Sequence, residues 1–149
     1  MKRLQLKQLI REEIISLAKL LHAPETLTPQ ELNVKGDLDL INTKITSLPE
    51  GLKVRGDLDL SNTPITSLPK GLKVGGYLSL MNTPITSLPK GLTVEGNLYL
   101  MNTKIVSLPE GLTVGNNLFL RNTPLSTKTD EEIRAMIGPN GDIKGNIIR

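Results

Sequence analysis

Cysteine and tryptophan are absent from all 149 residues, phenylalanine occurs once and tyrosine twice. Without cysteine there are no disulfides, no thiolate metal site and no cysteine nucleophile, which fits a reducing compartment. With so few aromatics, Leu, Ile and Val must supply nearly all of the buried area, so a core built around large rings is excluded. The single histidine, His22, stands just before Pro24 at an expected helix end, where a favourable contact with the helix dipole is the simpler role. One histidine makes no histidine-rich metal site, and no Ser-His-Asp arrangement is supported. No apolar run approaches the roughly 20 residues that cross a bilayer. The basic amino terminus is interrupted by Arg11, Glu12 and Glu13, which does not suit a signal peptide, so a cytoplasmic protein is expected. The formal charge of +3 is small and both signs are interspersed, so nucleic acid is not an expected partner.

In place of these features the chain has a period of twenty residues. Leu38, Leu58, Leu78, Leu98 and Leu118 form one column, and Leu40, Leu60, Leu80, Leu100 and Leu120 a second. Asn42, Asn62, Asn82, Asn102 and Asn122 follow, each with a Thr after it, then Ile45, Ile65, Ile85, Ile105 and Leu125. Leu-Pro pairs close the repeats at 48–49, 68–69, 88–89 and 108–109. Within one period Leu52, Val54, Gly56, Leu58 and Leu60 alternate with polar residues, which places all of them on one face of extended chain. Gly56 fills an inward slot without a side chain and marks a corner between a short outer strand and the Leu58–Leu60 strand. A unit this short cannot bury its own apolar edge, but stacking copies about 4.8 Å apart buries it. Asn tolerates the left-handed backbone of a tight turn, and an inward Thr hydroxyl can satisfy buried turn groups. The run GLKVGG at 71–76 has two glycines of a phosphate loop but lacks the following Lys-Ser/Thr, so its glycines belong to the repeat.

The pattern L-x-L-x-x-(N)T-x-I-x-x-L-P, from about Leu32 to Leu125, resembles the bacterial leucine-rich repeats in their shortest, twenty-residue form. The resemblance implies a repeat solenoid with a concave parallel β-sheet of five to six strands. It departs in two places: Thr replaces the usual ladder Asn, one residue later than the Asn seen here, and the family's first Leu is replaced by Lys35, Arg55, Gly75, Glu95 and Gly115. Leu52 and Val54 compensate upstream, so the back of the solenoid is expected to be strand-like rather than helical. Relatives that act as ubiquitin ligases carry a separate Cys-containing domain; this chain has no Cys, so no enzymatic activity and no cofactor is expected.

Both ends depart from the repeat, as a solenoid with an open core requires. Leu6, Ile10, Ile14, Leu17 and Leu21, widened by Leu9 and Leu20, make one apolar helical stripe that Pro24 stops. This helix is expected to cover the first repeat near Leu32 and Val34, or alternatively to dock a partner. Its LKQLIREEI opening resembles the starts of some tailed-phage proteins, which implies a structural or assembly component associated with a virion. At the other end Thr129-Asp130-Glu131-Glu132 is a capping box leading into Ile133, Met136 and Ile137. Ile143, Gly145 and Ile147 then repeat the V-x-G-x-L spacing as a degenerate sixth strand. The expected organisation is a helix at 1–24, five repeats at 25–128 and a carboxy-terminal cap at 129–149.

Residues between the inward leucines face outward in three files: Asp37, Asp57, Tyr77, Asn97, Asn117; Asp39, Asp59, Ser79, Tyr99, Phe119; and Ile41, Ser61, Met81, Met101, Arg121. All three aromatics lie in these files, and aromatics, Met and Arg are the side chains enriched in interface cores. Tyr77, Met81, Tyr99, Met101, Phe119 and Arg121, with Asp37, Asp39, Asp57 and Asp59, are therefore the candidate residues of a protein-binding face. The competing reading of the aromatics is cross-strand packing within the sheet. The four carboxylates read as a surface for a basic partner or as a solvated face; calcium needs 6–8 oxygens, more than they supply, so no metal is expected. Lys53, Lys70, Lys73 and Lys90 fall on the opposite side as solvated charge.

Overall fold

Each period of twenty contains two apolar, extended stretches, Leu52–Val54 and Leu58–Leu60 in the second, and both pair with their copies in the next period. The computed structural model describes residues 18–20 and 22–149. Leu6, Leu9, Ile10, Ile14, Leu17 and Leu21, and with them the expected apolar stripe, lie outside the described residues. The paired strands are β1 (Asn33–Val34) and β2 (Leu38–Asp39), β3 (Lys53–Val54) and β4 (Leu58–Asp59), and β5 (Lys73–Val74) and β6 (Leu78–Ser79). They continue as β7 (Thr93–Val94) and β8 (Leu98–Tyr99), β9 (Thr113–Val114) and β10 (Leu118–Phe119), and β11 (Asp142–Ile143) and β12 (Ile147–Ile148). Odd-numbered strands form one six-stranded parallel sheet and even-numbered strands a second. The chain is thus a parallel β-solenoid of six rungs. Where a single sheet of five to six strands is expected from the sequence, two sheets of six meet at a corner, because Val54 and Leu58 both need burial and only three residues separate them.

Identical side chains stack in register, Leu58 against Leu78 and Val54 against Val74. Leu58, Leu60, Leu78, Leu80, Leu98 and Leu100 are completely buried. At about 25 cal/mol per Å² of apolar surface removed from water, each such leucine contributes roughly 1.5–3 kcal/mol, and no single rung collects enough of it to stand alone.

The corner depends on glycine for closeness rather than for a special dihedral. Gly76 N donates to Gly56 O at 2.8 Å and Gly96 N to Gly76 O at 2.9 Å. A Cβ on Gly76 would fall 2.0 Å from Asp57 Oδ1 and 2.9 Å from the Gly56 carbonyl carbon, distances that no side chain tolerates. The other bends do use left-handed backbone. Asn42, Asn62, Asn82, Asn102 and Asn122 have φ of 56 to 59°. The Thr after each Asn donates its hydroxyl to the carbonyl of the second column leucine, at 2.6 to 2.8 Å. Gly51, Gly71, Gly91 and Gly111, with φ of 68 to 79°, occupy the third position of Pro-x-Gly-Leu turns in which, for example, Leu112 N donates to Pro109 O at 3.3 Å.

Segments outside the repeat pack against both ends of the stack. Ala18–Leu20 and His22 are helical, and Pro24–Thr26 form a 3₁₀ turn, so the helix stops at the proline. Leu20 enters the core and Lys19 bonds Glu31 at 2.8 Å. That ammonium, with the Thr28 amide, holds the Glu31 carboxyl down at about 2. At the far end α1 (Asp130–Ile137) begins with the expected capping box, Thr129 N donating to Glu132 Oε2 at 2.7 Å and Glu132 N to Thr129 Oγ1 at 3.2 Å. Ile133 and Ile137 join the core. The sixth rung follows the repeat register, Ile143 opposite Val114 and Ile147 opposite Leu118. Arg134 on α1 donates to Ile143 O at 2.8 Å and Gly145 O at 3.3 Å, covering carbonyls that the last rung would leave open.

Gly76→Ala is expected to destabilise the fold by about 1–3 kcal/mol in urea denaturation, as overpacking does. Gly36→Ala, where a Cβ would meet nothing within 4 Å, is expected to stay within about 0.5 kcal/mol of wild type. Because the Glu31 carboxyl titrates near 2 when folded and near 4.5 when not, its contribution is present at neutral pH and lost as pH falls from about 4.5 towards about 2. The gap in melting temperature between wild type and Glu31→Gln should accordingly be widest near neutral pH and close on acidification through that window.

Candidate protein-contact face

On the outer surface of the even-numbered sheet each rung presents three positions, so rungs one to five bring the candidate residues into one array. Asp37, Asp39 and Ile41 lie at one end; Asn117, Phe119 and Arg121 lie four rungs away. The array has an acidic end in rungs one and two and an aromatic-methionine region in rungs three to five.

The first file is partly structural. Asp37 Oδ1 accepts from Asp57 N at 2.8 Å, and Asp57 Oδ1 from Tyr77 N at 2.8 Å. Asn97 Oδ1 does the same for Asn117 N at 3.0 Å, and Asn117 Oδ1 for Asn146 N at 2.8 Å. These oxygens cap the corner amides of Asp57, Tyr77, Asn117 and Asn146, and Tyr77 interrupts the ladder at Asn97. The sequence signal for this ladder was available, a column of Asp and Asn interrupted only by Tyr77, but it reads equally well as a row of surface charges. In the second file Asp39 Oδ1 accepts from Ile41 N at 3.0 Å, and Asp59 Oδ1 from Ser61 N at 2.9 Å. Among the described residues no group of three His, Asp or Glu side chains gathers around one point.

The aromatics are half-buried rather than fully exposed. Tyr99 and Phe119 are directly paired in register and their rings stack, centroids 4.6 Å apart and planes within 20°. Tyr77, one file over, meets Tyr99 edge to face at 5.7 Å, and its hydroxyl lies 3.5 Å from Asp59 Oδ2. The ring therefore leans across Ser79, whose small side chain leaves room. Ser79 and Ser61 are buried, with hydroxyl oxygens 2.7 Å apart, a correction to their expected outward exposure that follows from this cover. Burial, then the charges of Asp59, Asp57 and Asp39, push the Tyr77 phenol up. Met81 and Met101 are half-buried alongside, and Arg121 is exposed.

Stacking along the solenoid axis turns the ring edges outward and closes the faces against one another. No sugar ring or cation can therefore enter between Tyr99 and Phe119, while the half-buried methionines stay partly exposed beside them. Ile148, in register with Phe119 and exposed, extends the apolar file into the sixth rung. The sequence alone does not place it there, because its position in the file depends on the register of the degenerate strand.

No protein family, curated protein or solved structure matches this chain. In a double-mutant cycle, Tyr99→Ala and Phe119→Ala should show a coupling of about 0.5–1.5 kcal/mol, the value of an aromatic pair. A coupling near zero would mean that the rings do not support one another.

Proposed function

We propose that this chain is a non-enzymatic protein-binding module of leucine-rich-repeat type, whose contact surface is the concave outer face of the even-numbered sheet. The supporting observation is an internal comparison between rungs. The amide-capping ladder needs only an acceptor oxygen, and uncharged Asn97 and Asn117 fill that role with the same geometry as Asp37 and Asp57. The charge on Asp37 and Asp57 is surplus to the framework. With Asp39 and Asp59 beside them, four like charges lie about 5 Å apart across strands, an unfavourable arrangement unless cations approach. Next to this acidic end, Tyr77, Met81, Tyr99, Met101 and Phe119 keep part of their apolar surface in water. The partner that satisfies both regions is a protein segment with Lys or Arg over Asp39 and Asp59 and apolar side chains over the methionines and ring edges. Charge complementarity of this kind sets orientation and association rate more than affinity, which the apolar half supplies.

An array of peptides varying basic and apolar content tests this reading. Peptides combining both should bind wild type, Tyr99→Ser/Phe119→Ser should abolish binding at every salt concentration, and Asp39→Asn/Asp59→Asn should remove mainly its salt-sensitive part. Equal binding by all three proteins would place the contact elsewhere.

A further inference from the structure

The odd-numbered sheet carries a second feature confined to particular rungs. An open groove of about 360 Å³ lies on its outer surface, lined by Lys53, Arg55, Lys73, Gly75 and, at one end, Glu95. Lys53 and Lys73 are directly paired in register, so two like charges stand one strand spacing apart. That arrangement is unfavourable. The framework does not ask for it: the same position holds Asn33, Thr93, Thr113 and Asp142 in other rungs, and Thr suits a strand better than Lys does. Beside them Arg55 borders a notch at Gly75, where a Cβ built on this backbone would fall 2.1 Å from the Arg55 carbonyl oxygen. Among the described residues none of these three cations forms an ion pair.

We propose that this groove binds an oxyanion of two or more negative charges, of the phosphate or sulfate ester class. Lys53 and Lys73 supply ammonium groups along the stacking direction, and Arg55 supplies a planar fork of N–H donors from the neighbouring file. An anion between the lysines converts their mutual repulsion into two attractions. Glu95 repels an anion reaching into the fourth rung, which confines the site to rungs two and three.

Isothermal titration of the full chain with sodium tripolyphosphate and, separately, with a sulfated disaccharide at about 0.15 M salt tests the proposal and distinguishes its two sources. One anion bound per chain is expected, weakened at least tenfold in Lys53→Gln/Lys73→Gln. Lys70→Gln/Lys90→Gln, which removes the same charge from another side, should change binding less than twofold. Thermal melting of the first variant no lower than wild type would show that lost binding is not lost folding. Should that variant melt lower, Arg55→Gln provides the reading, again with at least tenfold weakening expected. Absence of binding by either anion, or equal weakening in both double-lysine variants, would overturn the proposal.

Discussion

Parallel, in-register stacking of near-identical rungs is the constraint from which the other features follow. Each inward position meets its own copy above and below, so a residue must pack well against itself. Leu and Val do so without a partner of different shape, and the core is accordingly aliphatic throughout. The same self-contact favours glycine at the corner: a Cβ on Gly56, Gly76 or Gly96 would collide with the preceding rung, and only rung five departs from glycine, with Asn116. It also explains why one polar side chain per rung suffices for a recurring backbone need, since the turn Asn and the inward Thr return in the same geometry from rung to rung. On the outside, Asn82, Asn102 and Asn122 each donate to the Asn one rung below, at 2.7 to 2.9 Å, a ladder built on residues already required by their left-handed turns.

A solenoid of this kind supplies its own controls. Because the framework makes the same demand at every rung, a residue that differs from its column while the backbone stays the same answers to something other than folding. By that measure Asp37 and Asp57 against Asn97 and Asn117, and Lys53 and Lys73 against Thr93 and Thr113, are the informative differences. The leucines, the turn asparagines and the inward threonines carry no such information, however regular they are.

The architecture was legible in the sequence to the extent that it rests on period. Twenty-residue columns with period-two alternation revealed the stacking, the inward leucines, the corner at Gly56, the left-handed Asn, the Thr hydroxyl and the sixth strand after a capped helix. The second sheet was visible only as a strand-like back, since two-residue strands are too short for alternation to separate from a bend. The Pro-x-Gly-Leu turn is not encoded by the period, since a glycine two residues after a proline is compatible with several turn types and only the backbone shows its positive φ. On the contact face, outward direction was legible but degree of burial was not. Whether Tyr77 stands free or lies over Ser79 depends on side-chain packing between neighbouring files, and no linear period encodes that. The capping role of Asp37 and Asp57 stayed hidden for a related reason: a carboxylate bonded to the next rung's amide and a carboxylate in water look alike in sequence.

The two faces differ in how far the framework restrains them. On the even-numbered sheet, the rings that make the surface apolar also stack on one another, so a substitution there acts on stability and on contact together, and the two effects must be separated by coupling measurements. On the odd-numbered sheet the cations form no ion pair among the described residues, and the in-register repulsion of Lys53 and Lys73 opposes the fold. Removing them should leave the solenoid intact, so any loss of binding there reports directly on the ligand. A surface whose residues are unfavourable to the fold carries the cleaner functional signal, even though its side chains are less conspicuous than a row of aromatics.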